Sequence, residues 1–204
     1  KFLDKDGSGY LSDALRAVNF MVSLKQSGLN IKVSNNSWGG GPFSDAMYEA
    51  IKEANNNEIL FVVAAGNEAN DNDSYSSYPA DYNLPNVISV GALERYENSD
   101  TLAYFSNYGR KSVDIAAPGT RIASTYIDDS FAYLSGTSMA SPCVAGALTL
   151  LATQQPNFNI AQLKSRLLAT TKYNEELYSY IKNGSQLSIR NMLKNLRYNM
   201  IFFY

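Results

Sequence analysis

Residues 1–204 are predicted to form an α/β fold, a mostly parallel sheet with helices on both faces in three layers. Short apolar runs suited to strands covered on both sides lie at about 59–65, 87–92 and 113–116. Segments with apolar residues at helical spacing alternate with them, the order expected of parallel strands joined by right-handed crossovers. With 45% hydrophobic residues in 204, the chain can bury one substantial core.

Taken in order, the chain opens on an Asp/Gly-rich turn, Asp4–Ser12. A helix is expected from Ser12 to about Ser27, where Leu15, Val18 and Val22 share a face. A strand beginning at Val33 turns from apolar to polar and ends in Gly39–Gly41. Ser44 then caps a helix to about Asn57 carrying Met47, Ala50, Ile51 and Ala54 on one side. After the three strand runs comes a helix of small and apolar residues beginning near Ser138. Asn159 is the cap of a further helix with Leu163, Leu167 and Leu168 on one side. Ligands of such sheets sit beyond the carboxyl ends of the strands, where Ser37 and Asn67 both fall.

Composition excludes several functions. A net charge of −2 gives no reason to expect nucleic acid or an anionic membrane surface as a partner. No apolar run reaches the ~20 residues needed to span a bilayer. The single cysteine, Cys143, rules out an intrachain disulfide. Residues 1–197 read as one domain, with 198–204 as an apolar tail.

The segment Gly136-Thr-Ser-Met-Ala-Ser-Pro-Cys-Val-Ala-Gly146 carries the chemistry. It puts Ser138 at a glycine-led turn into a helix, whose orphan N–H groups and positive dipole end are what a nucleophilic serine needs, since a developing oxyanion must meet donors already in place. Small residues at Ala140, Ser141, Ala145 and Gly146 are expected to let the helix approach the sheet, and Pro142 to fall in its first turn. This segment closely resembles the nucleophile motif of the subtilisin-like serine proteases, the subtilases. Ala64-Ala65-Gly66-Asn67-Glu68 is similar to a second subtilase motif, and Ser37-Trp38-Gly39-Gly40 to a third.

The resemblance implies a subtilisin-like serine endopeptidase domain acting on polypeptides. It makes Ser138 the nucleophile and Asn67, with the Ser138 N–H, the donor to the oxyanion. Ser37, Trp38 and Gly39 would line one wall of the specificity pocket, and Ala64, Ala65 and Gly66 the other, with Gly39–Gly41 open to pairing with an extended substrate. The resemblance also implies a secretory protein with a propeptide outside this chain.

The sequence holds no histidine, yet a serine nucleophile needs a neighbouring base, and in this family histidine is that base. Nothing upstream of Ser138 resembles the family's Asp and His motifs. The expectation is an N-terminally truncated domain, inactive by itself, whose catalytic Asp and His lie in a missing segment. The alternative from another class is a pseudopeptidase that binds extended peptides without cleaving them.

No cofactor is required for this chemistry; a structural Ca²⁺ is the one metal implied. Asp4-Lys-Asp-Gly-Ser-Gly9 looks like the start of a calcium loop, but Leu15 stands where a bidentate Glu should be. A calcium-binding structural module built on that loop is a third reading. The resemblance offers a different cation set, Asp114 with the carbonyls of Pro85 and Val87. The sequon at Asn72 permits glycosylation in a secreted protein. Cys143, where the family usually has a histidine that is not the base, is expected to be a buried, inert thiol.

Overall fold

The computed structural model describes residues 2–96 and 99–194; the apolar tail expected at 198–204 lies outside the described residues. The chain runs α1 (Leu11–Gln26), β1 (Val33–Asn36), α2 (Asp45–Asn56), β2 (Leu60–Ala64), β3 (Val87–Arg95) and β4 (Asp100–Leu102). It continues through β5 (Ile115–Pro118), a hairpin of β6 (Ile122–Tyr126) and β7 (Ser130–Leu134), and the long helix α3 (Thr137–Gln154). Then follow α4 (Ile160–Ala169), β8 (Lys172–Tyr173), β9 (Ser185–Gln186) and α5 (Ile189–Leu193), with 3₁₀ turns at Glu175–Leu177 and Lys182–Gly184.

Seven strands form one sheet in the order β1-β2-β3-β5-β9-β8, with β4 paired to β3. β1, β2, β3, β5 and β9 pair in parallel, while β4 and β8 run antiparallel to their neighbours. An extended chain turns successive side chains to opposite faces, and β2 uses both. Leu60 and Val62 join Ile88, Val90 and Ile115 beneath α3 and α4. Phe61 and Val63 join the core under α1 and α2, against Ala14, Val18, Met47 and Ile51. The result is the three-layer α/β/α arrangement that the alternating pattern predicts.

The helices follow from an apolar stripe and, in α2 and α4, a side-chain cap. α1 buries Ala14, Val18 and Val22 at four-residue spacing. α2 buries Met47, Ala50, Ile51 and Ala54, and Ser44 Oγ accepts from Met47 N–H at 3.3 Å. α4 opens on a reciprocal capping box, Asn159 Oδ1 accepting from Gln162 N–H at 2.8 Å while Gln162 Oε1 accepts from Asn159 N–H at 2.9 Å.

Several expectations need correction. Pro142 lies inside α3, in its second turn, because the helix begins at Thr137 behind the Gly136 cap. Ala140, Ser141 and Ala145 do face the sheet, but Gly146 is exposed and a Cβ there would meet nothing within 4 Å. The hairpin at 122–134 has no counterpart in the sequence reading. Tyr126, Phe131 and Tyr133 are exposed, so no buried face imposes alternation, and its turn uses Asp128 and Asp129 at positive φ without a glycine.

Candidate active site

Two loops leaving the carboxyl edge of the sheet converge on the first turn of α3. Parallel pairing sets Asn36 of β1 beside Val63 of β2, so the segments starting at Ser37 and Ala65 leave the sheet side by side. Thr137, fully buried, fastens the second of them to the helix. Its N–H and Oγ1 donate to Asn67 Oδ1 at 2.8 and 3.0 Å, and Gly66 N–H donates to Thr137 Oγ1 at 3.2 Å. A backbone N–H requires an acceptor, so the amide orientation of Asn67 follows from chemistry. Its Nδ2 is left as a donor without a partner among the described residues.

Ser138 is the second residue of α3 and is half-buried. Its N–H is one of the helix's orphan donors, and neither that N–H nor Oγ has a hydrogen-bond partner among the described residues. Gly136 precedes it at φ +157° and ψ 161°, a conformation open essentially to glycine alone. Gly136 N–H donates to Gly119 C=O at 2.8 Å, which pins the turn to the end of β5.

Gly66 sits at φ +116°, and a Cβ there would fall 2.2 Å from Asn107 Nδ2. Asn107 is 1% exposed and braces the whole loop. Its Oδ1 accepts from Glu68 N–H (2.9 Å) and Asn70 N–H (3.1 Å), and its Nδ2 donates to Ala65 C=O (3.2 Å) and Asn72 Oδ1 (3.1 Å). Asn72 Nδ2 donates to the same Ala65 carbonyl at 3.0 Å. Both ends of the Asn72 amide are engaged and the residue is buried, so the sequon there is not an accessible glycosylation site. Thr137, Asn107 and Ser141 escaped the sequence reading as site residues because isolated buried polar groups leave no periodic signal.

The segment after β1 is anchored differently. Asn35 Nδ2 donates to Ser37 Oγ at 3.0 Å, Ser141 Oγ donates to Asn35 Oδ1 at 2.9 Å, and the two hydroxyls lie 3.0 Å apart. Ser37 Oγ donates to Ser138 C=O at 2.8 Å. The backbone N–H and C=O groups of Ser37, Trp38 and Gly39 have no partner among the described residues. Gly40 N–H, by contrast, donates to Tyr78 C=O at 3.2 Å, and Gly41 bridges Tyr78, so the open stretch ends at Gly39.

Two of the expected wall residues also make core contacts. Trp38, half-buried, packs edge-on against Phe2 and Phe61, ring centroids 5.5 and 6.5 Å away, at the border of the core beneath α1 and α2. Ala65 is fully buried with Leu93, Val113 and Ala116 in a third core cluster. Ser37 and Gly66 bond directly to the α3 turn, while Gly39 lies against Tyr78 and Pro79. A cavity of about 340 Å³ flanks this edge, lined by Phe2, Tyr10, Trp38, Gly39, Pro79 and Tyr82 among others.

A family model described as the subtilase family matches residues 1–191. The chain belongs to the subtilase family. It is 43% identical over 187 residues to a subtilisin-like serine protease, Rho m 2.0101, of Rhodotorula mucilaginosa, covering 83% of this chain and 52% of that protein. Against cerevisin of Saccharomyces cerevisiae the identity is 44% over 165 residues, 76% of this chain and 25% of that one. A solved structure of a cold-adapted subtilisin-like serine proteinase superposes with a TM-score of 0.79 at 30% identity, covering 92% of this chain and 64% of that one. The chain thus spans about half or less of the length of these two protein relatives.

Other residues singled out by the subtilase resemblance have clear partners. Lys164 Nζ donates to Pro85 C=O at 2.9 Å and Val87 C=O at 2.6 Å. Asp114 accepts from Ser89 N–H at 3.2 Å and faces Lys182 Nζ at 3.4 Å. Burial pushes the Lys164 ammonium below its ordinary range, against the pull of Asp114. Asp4 closes its own turn, Oδ1 accepting from Asp6 N–H (2.9 Å) and Ser8 N–H (3.0 Å). Cys143 is half-buried rather than buried; desolvation raises its pKa, which keeps it a thiol. Among the described residues no helix is long and apolar enough to cross a membrane.

Proposed function

We propose that this chain is the nucleophile-bearing part of a serine-type endopeptidase of the subtilisin class. The observation that carries this reading is the pair of unpartnered donors at the α3 turn, Asn67 Nδ2 and Ser138 N–H, beside an unpartnered Ser138 Oγ. Ser138 Oγ attacks the scissile carbonyl and gives its proton to a base. The carbonyl oxygen becomes an oxyanion that receives both donors, and collapse expels the amine, which takes the proton from the base. Water then hydrolyses the acyl-enzyme by the same route. The base comes from outside these 204 residues, which contain no histidine.

Substrate is proposed to be polypeptide in extended form, pairing with the free backbone groups of Ser37–Gly39. The small residues Ala64 and Gly66 opposite Ser37 and Gly39 suit a large apolar side chain before the scissile bond. A second reading, a pseudopeptidase that binds such peptides without cleavage, is favoured by the absence of histidine alone.

Hydrolysis of a chromogenic peptide by the full-length protein, abolished in Ser138→Ala, is the expected result. Residues 1–204 alone should show none, since loss of the base costs subtilisin itself roughly 2 × 10⁶ in turnover. Turnover by residues 1–204 that vanishes in Ser138→Ala would overturn the assignment of the base. Peptide binding without hydrolysis in the full-length protein would favour the pseudopeptidase.

A further inference from the structure

The resemblance to subtilases implies a calcium ion held by Asp114 and the carbonyls of Pro85 and Val87, and the residues around that set do not fit one. The two carbonyl oxygens converge on a single point, as they would on a metal, but the point is the Lys164 ammonium, 2.9 and 2.6 Å away. Calcium takes oxygen ligands at roughly 2.3–2.6 Å, so an ion using these carbonyls would lie almost on top of Nζ. Like charges so close in a half-buried pocket repel strongly. The third member of the set is engaged as well, Asp114 facing Lys182 at 3.4 Å and accepting from Ser89 N–H.

We infer that Lys164 is a tethered cation that takes the place of a metal ion between Pro85, Val87 and Asp114. It reaches this position from α4, so the bond pattern fastens the helix layer beside α3 to the first residue of β3 and the loop before it. A free ion would join the loop and strands but would not add this link to α4, which otherwise rests on its core contacts through Ile160, Leu163 and Leu167. Asp114, next to β5, pairs with Lys182, and both lysines line one cavity of about 450 Å³ with it. The cation is covalently part of the chain and cannot be removed by a chelator. This inference stands apart from the proposed reaction, since none of these groups touches the α3 turn.

Calcium stoichiometry of the full-length protein, measured by isothermal titration calorimetry after EDTA treatment and dialysis, tests it. Wild type and Asp114→Asn should bind the same number of ions. One equivalent fewer in Asp114→Asn would overturn the inference. Lys164→Ala vacates the cation position and leaves three oxygen ligands, so its thermal midpoint should fall by at least about 3 °C in EDTA and recover in millimolar calcium. A Lys164→Ala midpoint in EDTA equal to that of wild type would also overturn it. If Lys164→Ala does not fold, the Asp114→Asn comparison decides the matter.

Discussion

The Ser37 hydroxyl donates to the backbone carbonyl of Ser138 at 2.8 Å, supplying the hydrogen bond that Pro142 cannot. In a regular helix that carbonyl would accept from the N–H four residues on; here the fourth residue is Pro142, which has none. The proline frees the Ser138 carbonyl, and the segment that follows β1 takes it. Ser37→Ala should therefore destabilise the protein by about 1 kcal/mol. In a Pro142→Ala background, where the new N–H can reach Ser138, the cost should fall by at least half. Urea unfolding of the four proteins measures the coupling; strictly additive costs would show that the two residues are independent.

Thr137 is expected to act through Asn67. Thr137→Val keeps the shape and the backbone N–H but removes the Oγ1 contact to Asn67 Oδ1, so in the full-length protein kcat should fall with KM nearly unchanged, and Thr137→Ser should restore it. Asn67→Ala should lower kcat by ~10²–10³, the magnitude known for the corresponding subtilisin residue. The double variant should be no slower than Asn67→Ala alone. A rise in KM with kcat intact in either single variant would assign these residues to ground-state binding.

Two glycines should respond in opposite directions to alanine. Gly66→Ala sets a Cβ 2.2 Å from Asn107 at φ +116° and should lower the thermal midpoint by roughly 4 °C or more. Gly146→Ala adds a methyl to an exposed helical position with nothing within 4 Å and should stabilise by about 0.5–1 kcal/mol. Scanning calorimetry of both variants checks the signs.

Asp81 supplies a pH signature. Burial is the main cause that lifts its carboxyl from about 3.8 to about 6, against a hydrogen bond from Ser77 N–H, and Asp73 adds to the rise. Its Oδ1 is buried without a partner among the described residues. The folded state binds this proton more tightly than the unfolded chain, so the stability it contributes is full below pH ~3.8 and lost as pH rises through ~6. Asp81→Asn should raise the thermal midpoint at pH 8 and give no gain at pH 4. An equal change at both pH values would mean that the carboxyl charge is not the cause.

The parallel sheet, both helix layers and the Ser138 turn were legible in the sequence because each rests on a local and redundant signal. β2 is apolar throughout since both of its faces are covered; α2 and α4 announce themselves by stripe and cap, α1 by its stripe alone. Motif and spacing alone brought Ser138, Asn67 and the Ser37–Gly39 segment to one edge of the sheet. Only the tertiary structure decided which atoms of those residues face one another. That Asn67 presents Nδ2 outward depends on Thr137, 70 residues on; that Trp38 rests against Phe2 and Phe61 and Ala65 against Leu93 and Val113 depends on elements distant in the chain. The replacement of an expected metal by Lys164 rests on a contact spanning 79 residues to Pro85. Periodicity records which face of its own element a residue occupies, and carries no information about which distant carbonyl an ammonium will reach.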